Sequence, residues 1–482
     1  MKKSLSININ RVLLLFSVCI LCAGQGCKKA LDVGPSKVTL NDLNVYSTDG
    51  GAQSVVAGLY MRMSNSGAYY NGSGSLSLLL GLASDELVNP NLNNQSNSAA
   101  YLNNYTANTS PAFWTEMYRE IFICNLAIKG MTESKLLTST VKQQLIAELK
   151  FIRAFNYFYA VNLYGDVPMP LTDDYELNNT LSRTPASEVY RQIVNDLLDA
   201  QGSLPDNKYV NGSGIVGTER VRPNKQVATA MLARVYLYLG DWKNAEAQAS
   251  ALIGNTNYLL EPNLNQVFLK GSREVIWQLQ PVSSTYLNTA DGYFLIINNN
   301  SFATNGQLPL SNLLTQSFQT GDNRAINWTG KYQTTTTPST AYNFAFKYKI
   351  SSLSASGAAT EYPTILRLAE QYLIRAEARA NQENLNGAAE DVSTVRRRAG
   401  LEGITASDKL TMFSVIERER KLELFSEWGH RWFDLKRTGR LNAVMTAVSA
   451  VKGSSWAEYK SLFPVPVNDI LANPNITQTK GY

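Results

Sequence analysis

Residues 226–252, QVATAMLARVYLYLGDWKNAEAQASAL, restrict this part of the chain to a helix, a break and a second helix. Ala228, Met231, Leu232, Val235, Tyr236 and Leu239 recur at spacings of three and four, which places them on one apolar stripe. Gly240-Asp241 interrupts the pattern, and Trp242, Ala245, Ala249 and Leu252 resume it. The second stripe is built largely from small residues, which let two antiparallel helices approach closely.

Two other stretches echo this unit. Residues 145–166 end in Tyr164-Gly165-Asp166, parallel to Leu239-Gly240-Asp241, and Thr184-Pro185 opens the next helix with Thr as cap and Pro as first residue. Residues 365–399 read as a helix, a polar turn containing Gly387 and a second helix; residues 414–437 read as one further helix. Each unit resembles a tetratricopeptide helix-turn-helix, but the pairs lack that array's period of roughly 34 residues, so insertions separate them. Residues 88–110 are rich in Asn and Ser, and 281–362 carry Gly, Thr and Ser with scattered aromatics and weak alternation, as in NFAFKYKI at 343–350. Loops of that length are functional or disordered. The expected fold is mainly α: a tetratricopeptide-like helix-pair scaffold with an irregular, loop-rich lobe holding a few short strands.

The N-terminus reads as an export signal. Lys2, Lys3 and Arg11 precede an apolar run, Val12–Ala23, of about a dozen residues, which suits a secretory core and falls short of the roughly 20 that span a bilayer as a helix. Gly24 and Gly26 then lead to Cys27, an arrangement that resembles the bacterial lipoprotein signal, although Gly24 stands where that signal usually has Leu. On this reading residues 1–26 are removed and Cys27 carries the lipid anchor; the alternative is an ordinary thiol behind an ordinary signal. Of the four cysteines, Cys19 and Cys22 leave with the signal, and with Cys27 acylated Cys124 has no partner. No disulfide framework is then available.

The composition removes several classes of chemistry. His430 is the one histidine, so a His-rich metal site cannot be built, and serine or cysteine catalysis would rest on that residue alone. The formal charge is +5, and three of those charges, Lys2, Lys3 and Arg11, belong to the signal, so the body is near neutral and lacks the footprint of a nucleic-acid binder. GSGS at 72–75 lacks the Lys-Ser/Thr of a phosphate loop. No cofactor or metal is expected. Tyr is abundant, at 25 residues, and an exported chain rich in Tyr, Trp and Asn suits sugars, although core packing accounts for most of those rings.

Taken in order, several segments resemble the SusD/RagB family of nutrient-binding outer-membrane lipoproteins. They are Cys27-Lys28-Lys29 with Leu31-Asp32; Ser84-Asp85-Glu86; Trp114 and Tyr118 ahead of Ile121 and Asn125; Arg153-Ala154 with Tyr157; and LYGDVP at 163–168. RPNKQVATAMLARVYLYLGDW at 222–242, LRLAEQYLIRAEA at 366–378, ERERKLELFSEWGHRWFDLKRTGR at 417–440, FPVP at 463–466 and the closing NPNITQTKGY follow. The resemblance implies one domain over 27–482. Its scaffold would span about 40–260 and 363–440, its ligand-binding lobe about 261–362, and a C-terminal segment 441–482. It implies a non-enzymatic surface lipoprotein that captures oligosaccharides, or in some branches peptides, and serves a TonB-dependent transporter of the SusC type. It places ligand contacts on loop aromatics.

The matching loops offer Tyr101, Asn103, Asn104 and Tyr105, then Tyr286, Tyr293, Asn327, Trp328 and Tyr332. Trp114 and Trp277 lie in patterned segments and read as core, and Arg431, Trp432, Asp434 and Arg437 read with His430 as a packed, salt-bridged helix end. Two other functions compete with sugar capture: a protein-gripping scaffold, and an exported glycoside hydrolase using Asp85 and Glu86 or Asp173 and Asp174. Adjacency in sequence does not supply the roughly 5–10 Å carboxylate separation that hydrolysis needs.

Overall fold

The computed structural model describes residues 45–65, 72–210, 215–282, 288–351, 358–406 and 408–482. The signal over 1–26, Cys27 as lipid anchor, and Tyr286 lie outside the described residues.

The patterned stretches form helices α1 (Asp49–Asn65), α2 (Phe113–Glu133), α3 (Ser139–Tyr164), α4 (Ala186–Ser203), α5 (Lys225–Leu239) and α6 (Trp242–Ile253). From α2 to α6 each helix packs on the next in chain order. The layer resumes after the lobe, with α7 (Leu368–Asn381) against α6 and α8 (Leu385–Arg398) against α7. The lobe is thus an insertion into a continuous stack of helices, and the mainly α architecture is the expected one.

Local chemistry sets the ends. Asn224 accepts the Val227 N–H at 3.0 Å to start α5, and Gly240, at φ +70°, ends it in the left-handed region. Asp241 then accepts the Asn244 N–H to start α6. Two expectations shift here. Pro185, not Thr184, occupies the cap of α4, and the Asp166 carboxylate accepts the Ala186 N–H at 2.8 Å. Gly387 lies inside the first turn of α8, where Asn384 accepts its N–H at 3.0 Å.

Two further boundaries depart from the periodic reading. Residues 364–367 are a strand, and α7 starts only at Leu368. The single helix expected over 414–437 is two, α9 (Lys409–Glu423) and α10 (His430–Arg437), joined by an elbow in which Ser426, Trp428 and Gly429 all have positive φ. The elbow turns Glu427 and Trp428 inward, where the Trp428 indole N–H donates to the Thr364 carbonyl at 2.7 Å.

Among the described residues, six short strands form three antiparallel pairs: β1 (Tyr209–Val210) with β2 (Val216–Gly217), β3 (Val275–Gln278) with β6 (Thr364–Arg367), and β4 (Thr329–Gln333) with β5 (Ala341–Ala345). The β3–β6 pair joins the lobe to the scaffold. Trp277 on β3 meets Phe151 and Phe155 of α3 edge-on, with ring centroids at 5.1 and 5.4 Å. Phe155 also meets Trp428 of the elbow at 5.9 Å.

Buried ion pairs also cross between helices. Arg153 of α3 forks onto Asp196 of α4, Arg234 of α5 onto Glu370 of α7, and Arg437 of α10 pairs with Glu377 of α7. Each such charge needs its partner, because solitary burial of an ion is costly.

Candidate ligand-binding face

The segment after α1 and the irregular lobe are joined edge to edge. Leu87 bridges Leu310, the Val88 N–H donates to the Pro309 carbonyl at 2.9 Å, and the Ser311 N–H to the Glu86 carbonyl at 2.8 Å. On its other side Leu310 donates to the Asn343 carbonyl of β5 at 2.8 Å. The start of the Asn-rich 88–110 loop therefore shares one layer with the β4–β5 hairpin.

On that hairpin Tyr332 and Tyr342 are directly opposed across the strands, and both are half-buried. Phe302 lies behind them, buried, with its ring 4.8 Å from Tyr342 and 6.4 Å from Tyr332. The Tyr332 hydroxyl donates to Asn300 Oδ1 at 2.7 Å, and Asn298, Asn299, Asn300 and Asn305 are exposed around the pair. Gly330 on β4 admits the Phe344 ring, since a Cβ there would lie 2.2 Å from that ring. The result is a pair of half-buried rings backed by a small apolar core and surrounded by amides. Rings offer apolar faces, and amides both donate and accept, which is the chemistry that sugar hydroxyls and ring carbons require.

The sequence-derived residues distribute unevenly over this face. Tyr332 is on it. Tyr293 is half-buried one helix away, edge-on to Phe294 at 5.0 Å, and its carbonyl accepts from Gln307. Tyr101 is half-buried with the Lys452 ammonium 4.8 Å from its ring centre, and Asn104 is exposed beside it. Asn327 is half-buried and held on both sides, donating to the Asn323 carbonyl and accepting from Asn265.

Three residues lie too deep to present a side chain to a ligand. Trp328 is fully buried: its indole N–H donates to the Leu264 carbonyl at 2.9 Å, and Lys347, Arg398 and Arg367 surround its ring at 4.8, 5.3 and 5.8 Å. It is the apolar plate within a buried charge cluster. Tyr105 is buried against Phe463 at 5.1 Å. Asn103, at φ +50°, turns inward to donate to the Ala83 carbonyl at 3.0 Å, closing the helix Leu76–Ala83. The local composition around these three is the same as around Tyr332, and only tertiary packing separates them. Tyr342, Asn298 and Asn300 were missed; the run Asn298–Asn300 and the alternation leading into β5 were the available signals.

The residues read as structural are structural. Trp114 and Trp277 are buried, Arg431 forks onto Asp85, and Asp434 pairs with Arg420 and Arg437. Burial, reinforced by the positive charges of Arg234 and Arg420, pushes His430 well below its ordinary pKa and keeps it neutral.

A second concavity, of about 630 Å³, lies beside the β1–β2 hairpin. Its Tyr258 ring is covered by the Arg220 guanidinium at 4.7 Å, so that face is not open to a ligand.

Comparison with known proteins agrees with this architecture. The model described as "SusD family" matches residues 189–482, and one described as "Starch-binding associating with outer membrane" matches 51–237. SusD-like protein P2 of Formosa agariphila is 27% identical, over 89% of this chain and 92% of its own length. The starch-binding protein SusD of Bacteroides thetaiotaomicron is 24% identical, over 73% of this chain and 74% of its own length. Among solved structures, a SusD superfamily protein from Bacteroides vulgatus superposes with a TM-score of 0.76 at 19% identity, covering 91% of this chain and 100% of that one. A laminarin-binding SusD-like protein superposes with a TM-score of 0.73 at 22% identity, covering 89% and 99%. With a family match spanning more than half its residues and the same fold over nine-tenths of its length, this chain belongs to the SusD family.

Proposed function

We propose that this protein is a cell-surface lipoprotein that binds oligosaccharides without cleaving them and passes them to a TonB-dependent transporter of the SusC type. The observation that carries the reading is the Tyr332–Tyr342 pair, backed by Phe302 and bordered by the exposed amides of Asn298 to Asn300, on a member of this family. Each ring contact contributes about 1 kcal/mol, so affinity comes from several contacts together. The relatives support the ligand class: one is named for starch and one for laminarin. The absence of cleavage is supported by Asp85, which is engaged by Arg431 and Lys421, and by the neutral, buried His430.

A glycan array combined with a reducing-end assay tests the reading. Binding without release of reducing ends is expected; accumulating reducing ends would instead make the protein a hydrolase, and binding to peptides alone would move it to the peptide-binding branch. Cys27→Ala is expected to leave the folded protein in the soluble fraction and to end its co-purification with the transporter. A Cys27→Ala variant that still sediments with membranes would remove the lipid anchor from the proposal.

A further inference from the structure

A cleft of about 330 Å³ opens at the other end of the segment that follows Leu310. Four cations line it, Arg418, Lys421, Arg431 and Arg440, with Glu417, Ser317 and Ser414. Ser414, Glu417, Arg418 and Lys421 lie at successive spacings of three, one and three on α9, so one helical face supplies the floor. Lys421 ties the cleft to the lobe by donating to the Leu313 carbonyl at 3.1 Å.

The buried side of this cleft is rigid. Arg431 forks onto Asp85 at 2.8 and 3.0 Å and reaches Glu417 at 3.1 Å, and Lys421 meets Asp85 at 3.0 Å. The outer side is under-committed. Arg440 holds Glu417 through one nitrogen at 2.6 Å. Arg418 donates to the Ser317 carbonyl at 2.9 Å and, among the described residues, has no carboxylate within ion-pair distance. Lys421, Arg431 and Arg440 thus share two carboxylates while Arg418 pairs with neither, and the two exposed guanidinium groups of Arg418 and Arg440 face the opening with N–H donors in hand. Guanidinium forks match planar or tetrahedral oxyanions, and the serine hydroxyls add neutral donors.

We propose that this cleft binds the oxyanion substituent, a carboxylate or a sulfate ester, of a charged oligosaccharide, with Arg418 and Arg440 as the direct contacts. The proposal takes its saccharide carrier from the function proposed above and adds the ligand's charge. A sugar is favoured over an extended polyanion because the cleft is small and only two of its guanidinium groups are exposed. The segment that carries the cleft's Ser317 also forms the lobe edge at Leu310.

Calorimetry with sulfated dextran oligosaccharides, unsubstituted dextran oligosaccharides and galacturonate oligomers tests this, on the wild type and on Arg418→Ala/Arg440→Ala. The wild type is expected to prefer a charged probe over plain dextran, and which of the two charged probes binds identifies the substituent. The double variant should lose about tenfold or more in affinity for that probe, the scale of two charge-assisted contacts, with an unchanged melting temperature. Arg418→Lys should lose less than Arg418→Ala. Equal binding of the charged probe by wild type and double variant, or no preference of the wild type over plain dextran, overturns the site when other sugars bind. Failure of the glycan reading looks different: no saccharide binds, yet sodium sulfate still raises the melting temperature of the wild type and not of the double variant. If that shift is missing too, the site is overturned independently.

Discussion

Arg367 and Glu427 meet in a two-point fork, Nε to Oε2 at 2.8 Å and Nη2 to Oε1 at 2.9 Å, in the interior between β6 and the α9–α10 elbow. Burial by itself raises the Glu427 pKa, but Arg367 and Lys347 more than offset it and hold the carboxyl below its usual range. The same Arg367 reaches Glu274 and Glu423, and Glu423 also takes Arg324 and Arg398. The elbow is therefore fixed by charge rather than by helix propensity. Glu427→Leu leaves Arg367 and Lys347 short of a buried partner, and the expected cost is about 3–5 kcal/mol. Chemical denaturation should show the loss as a lower midpoint; a Leu variant as stable as the wild type would show that the fork is incidental.

Gly429 makes the second constraint on the elbow. Its φ is +73°, and a Cβ would lie 2.2 Å from Leu80 Cδ1, a fully buried side chain. Gly429→Ala therefore combines left-handed strain with a clash in the core, for an expected loss of about 2 kcal/mol or more. Substitution at Gly453, also at positive φ but with nothing within 4 Å of a Cβ, should cost less, because strain acts there without the clash. Thermal melts of the two alanine variants compare the terms directly.

Glu86 should give the protein a distinct pH response. Burial, then the Asp85 charge, pushes its carboxyl up to about 8, against the Ser426 N–H, Arg431 and Lys347, which pull it down. Between the ordinary carboxylate range and about pH 8 the folded state keeps the proton that the unfolded state has lost, so stability from this group falls as pH rises. Glu86→Gln removes the titration while keeping the shape. The melting temperature of the variant minus that of the wild type is expected to grow from about pH 5 to about pH 8. A difference that stays flat, or shrinks, would mean that Glu86 is ionised in the folded protein.

What the sequence disclosed follows from the range of the interactions involved. The stripes of α5 and α6, with Gly240 between them, are local patterns, and the helices formed where the patterns lay. The elbow was illegible because its cause, Arg367, is 60 residues from Glu427, and the intervening Leu, Phe and Trp fit a helical period equally well. The same limit applied at the ligand face. Trp328 and Tyr332 are four residues apart in one polar segment, yet three cations from separate elements enclose the first while the second faces outward on a hairpin.

That contrast gives a test of the face itself. Tyr332 is half-buried, and among the described residues its hydroxyl bonds to Asn300 alone, so Tyr332→Ala removes a ring without opening the core. Its loss should weaken oligosaccharide binding by about tenfold, near the worth of one stacked ring with its hydroxyl, and move the melting temperature little. Trp328→Ala should act in reverse. It vacates a fully buried site, strands the Leu264 carbonyl and leaves Lys347, Arg367 and Arg398 around a void, at a cost of about 3–5 kcal/mol. Where that variant still folds, its affinity for sugar should match the wild type. Binding measured by calorimetry beside thermal melts separates the two effects. A Tyr332→Ala protein with undiminished affinity would move the ligand away from the β4–β5 hairpin, and a Trp328→Ala protein with selectively lost affinity would return the ligand to the tryptophan.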